Sequence, residues 1–483
     1  MSDESTHTDS TSQISPHRWR ALALLASMQF LLVVDLTVVN IALPRIGSDL
    51  DLDPSGLVWV VDAYALTAGG LLLLGGRIAD LVGRRRIFLI GVTVFAAGSL
   101  LAGVAPAAGW LVAGRVLQGV GDALAAPAAL ALIVVLFPDG SERAKAIGVW
   151  GALAGIGGVT GTVISGVLTQ FASWRLVFLI ALPVAVTVLA LLPRVVVGES
   201  RMRSAVPPRF TGVAAGTVGL ASIVFGLVQA STEDWSSPSV FLPLIAGAVL
   251  VGVMVLIERR SPAPVIPLRF FTDRVRLTAN AVTLVNAGAF VSYLFVLSLY
   301  VQRTLDYSAL QAGLAYIPIG LAIGAGLVAA NAVLPRIGLR TTFALGCAVT
   351  AIGLVVTVLS LGADAAYVRD VLPSMVIVGL GQGILLPTMT NAALVRVDGQ
   401  DAGLASGVQV TMSHLGGALG LAVLITAAAR RSNAEITDGA AADGALLAGY
   451  ATALSIAAVA MLTASVAVLL LAGPGKRRVA ATR

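Results

Sequence analysis

Four residues with ionisable side chains interrupt otherwise apolar stretches of this sequence. Asp35 lies in "QFLLVVDLTVVNIALP", Asp62 in "WVVDAYALTAGG", and Arg115 and Asp122 in "LVAGRVLQGVGDALAAPAAL". A charged side chain at the centre of a bilayer costs about 2.5–3.5 kcal/mol on insertion scales. A carboxylate that faces an aqueous cavity beside an arginine can instead take up and release a proton, with desolvation and the cation acting in opposite senses. The chemistry these residue types offer is therefore proton binding inside a membrane. The plainer alternative is a buried acid that hydrogen-bonds a neighbour and only holds the fold.

Spacing groups them. Arg115, Gln118 and Asp122 fall at i, i+3 and i+7, on one helical face. At about 1.5 Å per residue, Asp35 stands roughly 22 Å above Arg20, and Arg115 roughly 8 Å below the opposite surface. Asp62 has a similar depth. In a core about 30 Å thick, these three share one level in the outer third, with Asp122 nearer the middle. The rise between Arg115 and Asp122 is roughly 10 Å, too long for a direct salt bridge. An acid this deep with no arginine in reach should instead alternate between a proton and a cationic or hydrogen-bonding substrate. The alternative is a structural pairing with a polar group on the first span or in the second half of the chain.

Helices must carry these groups. The chain is 57% hydrophobic and 12% charged, with a mean hydropathy of +0.94, whereas soluble domains are about 25% charged. It is an all-α membrane protein. About 20 apolar residues cross the hydrocarbon, and fourteen such runs are expected: 20–44, 57–77, 87–106, 109–136, 144–169, 175–193, 211–230, 240–257, 277–301, 308–334, 341–361, 370–394, 402–428 and 446–472. With both termini in the cytoplasm, 24 of the 31 Lys and Arg fall inside, six outside, and Arg115 within a span. That asymmetry is the positive-inside pattern, and it makes basic loops, not nucleic acid, the reason for the net charge of +6.

The tail 1–19 reads as disordered and cytoplasmic, and 473–483 as a basic cytoplasmic tail. The first apolar run is too long for a signal peptide and should stay in the mature protein. No phosphate-binding "GxxxxGK[ST]" occurs, and no loop holds a soluble domain. No catalytic constellation, cofactor or metal site is expected. One cysteine, Cys347, excludes an intrachain disulfide.

Between the second and third spans stands "GRIADLVGRRR", with Gly76 and Gly83 suited to close approach and a tight turn, Asp80 at i−4 from Arg84, then Arg85 and Arg86. This G-x-x-x-D-x-x-G-R-R-R pattern resembles the signature of the major facilitator superfamily. "GRVLQGVG" resembles that family's R-x-x-Q-G-x-G segment, and "DLTVVNIALP", which includes Asn40, resembles the first-span signature of its fourteen-spanner drug:proton antiporters, the EmrB/QacA type. "SWRLVFLIALP", "IERRSPAPVIPLRFFTDR" and "SHLGGALGLAV" match as well. The resemblance implies two six-helix bundles, 20–193 and 277–472, with two helices inserted in 194–276, and "PRIGLR" from Pro335 is a faint echo of the 76–86 turn. It implies that Arg115 takes part in proton relay, that the fourth span lines the central cavity so that Asp122 should see the substrate path, and that Asp80 with Arg84, Arg85 and Arg86 forms a conformational latch.

Two departures stand out. "GIGGVTGTVISGVL" places Thr162 and Ser165 where such antiporters carry Pro and Gly, and Asp122 replaces a small residue. All acids within spans lie in the first half. The second half offers milder groups, Asn286, Tyr293, Gln382 and His414 among them, which with Asn40 and Gln118 are candidates to line a cavity. The expected function is proton-coupled export of lipophilic, cationic or neutral drug-like molecules, by a monomer in the cell membrane that binds protons, substrate and lipid but no nucleic acid. Uptake or facilitated diffusion on the same fold, and a non-transporting sensor or scaffold, are the other readings.

Overall fold

The structure is a computed structural model that describes residues 17–137, 140–196, 210–261, 264–265, 272–362, 364–395, 397 and 402–471. The expected tail 473–483 and most of the tail 1–19 lie outside these residues, although the first helix already begins at Arg18. The described residues are helical throughout, with short turns between elements. In chain order they form α1 (Arg18–Leu50), α2 (Pro54–Val82), α3 (Arg84–Gly103), α4 (Ala108–Leu136), α5 (Gly140–Phe171), α6 (Leu176–Leu179), α7 (Ala181–Val195), α8 (Phe210–Gln229), α9 (Pro238–Arg260), α10 (Arg274–Leu299), α11 (Ala309–Ala315), α12 (Ile317–Ser360), α13 (Leu372–Ala393), α14 (Ala402–Thr437) and α15 (Ala442–Leu471).

Polar residues at the turns set where these helices start. Asp53 accepts from the Gly56 amide at 2.8 Å, just ahead of Pro54. Asp273 accepts from the amides of Val275 and Arg276, and Ser308 with Gln311 forms a capping box on α11. Such caps satisfy amides that have no partner within the helix.

Among the described residues, twelve helical stretches are long and apolar enough to cross a membrane, where the sequence predicts fourteen. Two places account for the difference. The expected spans 308–334 and 341–361 run together as one 52-residue stretch, Ala309–Ser360. Within it Gly338 has φ 79° and ψ 164°, which are not helical angles. The expected span 144–169 falls in α5, whose apolar helix is described over Ile156–Phe171. Gly83, which ends α2, also has a positive φ, 117°. The echo between "GRIADLVGRRR" and "PRIGLR" is thus a shared chain break at a residue without a Cβ.

α1 to α7 pack on one another, and so do α10 to α15. The halves meet through α2 with α14, α1 with α10, and α5 with α11. The α8–α9 hairpin lies against both α2 and α14. Thr426 of α14 donates to the Leu227 carbonyl at 2.6 Å. Arg430 donates to the carbonyls of Ala230 and Glu233 at 2.8 and 3.1 Å. The hairpin is therefore tied to α14 at its turn.

Candidate functional site

Arg115 on α4 is a buried cation, 1% exposed. Its Nη1 donates to Asp35 Oδ2 of α1 at 2.5 Å and to Gln118 Oε1 at 2.9 Å. Its Nε donates to the Val60 carbonyl of α2 at 2.9 Å. Gln118 closes the ring, with Nε2 donating to Asp35 Oδ1 at 2.8 Å and lying 2.9 Å from Ser99 Oγ of α3. Four helices thus converge on one neutralised pair. Charge-assisted bonds of this kind are about twice as strong as neutral ones, and the low-dielectric surroundings make each partner costly to leave alone.

Close packing of α2 on α4 builds the second half of the site. A Cβ at Gly119 would stand 2.7 Å from the Tyr64 carbonyl, so only glycine permits this crossing. Tyr64 is thereby placed with its hydroxyl donating to Asp122 Oδ2 at 2.8 Å. Its ring lies 4.5 Å below the Arg115 guanidinium carbon. Asp122 is 5% exposed, and its partner is on α2, neither on the first span nor in the second half as the structural alternative supposed. The expected absence of a direct Arg115–Asp122 bridge agrees with the bonds observed for both residues.

Asp62 does not join this cluster. It points elsewhere, because helical residues advance about 100° each. Asp62, Gly69 and Leu73 form one stripe along α2. The contacts of that stripe are to α14: a Cβ at Gly69 would meet His414 Cβ at 2.6 Å, and one at Gly407 would meet Leu73 Cδ2 at 2.8 Å. Asp62 is fully buried on that face, and neither carboxylate oxygen has a hydrogen-bond partner among the described residues. Depth alone could not reveal this; the period of the helix could.

The expected cavity residues are mostly committed to packing. Gln118 and Tyr293 are wholly buried. Asn286 and Gln382 form a reciprocal amide pair at 3.0 and 2.9 Å. Tyr293 lies by Ser374 and Thr357 in the second half. Asn40 donates to the Leu36 carbonyl at 3.3 Å, while its own carbonyl accepts from Ser298 at 2.5 Å, a bond between α1 and α10. His414 is half-buried beside Tyr64, ring centroids 6.5 Å apart.

In the 76–86 segment, Arg84 bonds Asp80 Oδ1 through Nε and Nη2 at 3.2 and 3.1 Å, an i,i+4 pair on the surface. Arg85 donates to the Pro193 carbonyl at the end of α7 at 3.1 Å, and Arg86 is exposed. Gly76 is not the close approach expected of it: a Cβ there would lie 3.6 Å from Pro127, whereas one at Gly75 would lie 1.9 Å from the Ala123 carbonyl oxygen.

The arrangement is that of a membrane carrier: two helical halves, with a buried charged network in one of them. Residues 25–421 match the Major Facilitator Superfamily, and the chain belongs to it. The chain is similar to the puromycin resistance protein of Streptomyces alboniger, with 39% identity over 94% of this chain and 92% of that one. It is also similar to the lincomycin resistance protein of Streptomyces lincolnensis, 39% identical over 85% of each, and to the cephamycin export protein of Amycolatopsis lactamdurans, 36% identical over 84% of each. Among solved structures, the fold resembles the peptide transporter POT in complex with sulfate, with a TM-score of 0.67 at 16% identity over 94% of each chain. A bacterial homologue of the human lysosomal transporter Spinster has the same TM-score and identity, over 94% of this chain and 97% of that one. The chain is a multi-pass membrane transporter of this superfamily.

Proposed function

We propose that this transporter exports lipophilic small molecules, cationic or neutral, across the cell membrane in exchange for protons. One observation carries the reading: Asp35 and Arg115 form a 2.5 Å pair, 3% and 1% exposed, inside apolar helices. Ionisable residues at such depth mark proton relays and substrate pathways. The resistance and export proteins to which the chain is similar support the outward direction and the drug-like substrate. Three membrane acids against one arginine favour cations over anions.

In this scheme the Asp35–Arg115–Gln118 network is the coupling centre. Asp62, without a counter-charge, carries a proton while it is buried against α14 and exchanges it when the halves part. Asp122 meets the substrate. Asp80 with Arg84, Arg85 and Arg86 acts as a latch at the cytoplasmic end, over the turn built on Gly83. Fourteen spans are supported by the division of Ala309–Ser360 at Gly338 and by counting α5 as a further span. In this reading the bundles are 20–193 and 277–472, the inserted pair lies in 194–276, and the positive-inside pattern puts both termini in the cytoplasm. Each chain contains both halves, so a monomer suffices.

The test is accumulation of ethidium in an efflux-deficient bacterial host, with and without a protonophore. Expression should lower accumulation several-fold, and the protonophore should abolish the difference. Raised accumulation on expression would replace export with uptake on the same fold.

A further inference from the structure

Tyr64 touches two charged groups that do not touch each other. Its hydroxyl donates to Asp122 at 2.8 Å. Its ring face carries the Arg115 guanidinium, 4.5 Å from the centroid. Arg115 in turn holds Asp35 at 2.5 Å. Asp35 also lies within electrostatic range of Tyr64 and of Asp122, and His414 reaches the ring from α14 in the other half of the molecule. Tyr64 itself is wholly buried, so its orientation is set by these partners.

We infer that Tyr64 is a positioning residue that makes Asp122 and the Asp35–Arg115 pair respond as one unit to a proton or a substrate cation. An ionised carboxylate only accepts, so it fixes the phenol as donor and with it the plane of the ring. A ring in that plane holds a desolvated guanidinium by an attraction that depends on geometry. When Asp122 takes a proton or a cation, the phenol loses its preferred acceptor and the ring is free to turn. The hold on Arg115 then weakens, and Asp35 feels the change through its bond to that arginine. The imidazole of His414 abuts the same ring where α2 and α14 cross at Gly69, so the turn is also felt by the second half. The consequence for transport rests on the export reading; the linkage between the two acids does not.

The test is infrared difference spectroscopy of the protonated-carboxyl band, titrated with pH on the purified full-length protein in liposomes. Asp35→Asn and Asp122→Asn each identify a component by its loss. In Tyr64→Phe, which keeps the ring and its volume, both components should move by about half a pH unit or more. In Asp122→Asn, with Tyr64 in place, the Asp35 component should move as well, and adding Tyr64→Phe to that variant should move it no further. Because Asp35 also acts on Asp122 through space, the Asp122→Asn shift supports the linkage only together with a Tyr64→Phe shift of the Asp35 component. If Tyr64→Phe shifts only the Asp122 component, if Asp122→Asn leaves the Asp35 component in place, or if no component is lost with Asp122, the inference is overturned. Ethidium transport in the same liposomes separates the two claims: no proton-driven movement by the wild type defeats the export reading, while the band shifts decide the linkage.

Discussion

Asp35 and Arg115 neutralise each other, so neither is cheap alone. In Asp35→Asn the guanidinium keeps the Val60 carbonyl, Gln118 and the Tyr64 ring but loses its counter-charge. Removing one partner of a buried pair costs about 3–5 kcal/mol. Asp35→Asn should therefore lower the melting temperature and abolish proton-driven transport, and adding Arg115→Gln should recover the melting temperature but not the transport. A single variant that melts with the wild type would show that the pair is not dry. Much of this cluster was legible in the sequence, because an acid and R-x-x-Q in apolar runs have few other uses and i, i+3 spacing fixes a face. Tyr64 was not legible: a tyrosine in an apolar span reads as packing, and only the rotation of α2 against α4 shows which acid its hydroxyl meets. The same rotation moved Asp62 out of the cluster to which its depth had assigned it.

The helices owe their positions to small residues more than to their polar ones. α2 crosses α4 so closely that a Cβ at Gly75 would overlap the Ala123 carbonyl oxygen, at 1.9 Å. A backbone atom cannot turn aside as a side chain can, and overpacking of this kind costs about 1–3 kcal/mol, occasionally more. Gly75→Ala should lower thermal stability by that order, while Gly76→Ala, with 3.6 Å to its nearest neighbour, should melt close to the wild type. Equal melting temperatures for the two would refute the packing argument. The motif in the sequence pointed to Gly76 because it fixes spacing from the turn, not rotation about the axis. Span positions were mostly legible from hydropathy. The separation of 308–334 from 341–361 rests on a single glycine, Gly338, as that of the second and third spans rests on Gly83, and not on a loop.

Across the whole molecule, the halves close on each other at the end that carries the α1–α2 and α5–α6 connections. There a Cβ at Gly166 would stand 2.7 Å from the Ala309 carbonyl oxygen and 3.0 Å from Leu310 Cα, and one at Gly313 would stand 2.6 Å from the carbonyl oxygen of Thr162. Thr162 occupies the place of the proline expected in an antiporter, so this junction is where the departure in the sequence makes itself felt. Gly75 packs within one half and serves every conformation, whereas Gly166 packs between halves and serves only the closed one. A side chain at Gly166 should thus leave stability intact and change the balance of states, since an equilibrium moves only by the difference in free energy between its two ends. A penalty of about 1.4 kcal/mol is already tenfold. Ser298, bonded to the Asn40 carbonyl in the closed junction and fully buried there, is a suitable reporter once Cys347, the lone cysteine, has been replaced by serine. In that background, Gly166→Leu should raise labelling of Ser298→Cys by an impermeant maleimide from outside the cell by about tenfold, slow transport, and leave the melting temperature unchanged. Unchanged labelling would mean that this junction does not open to the exterior, and the alternating scheme would need its outer gate elsewhere.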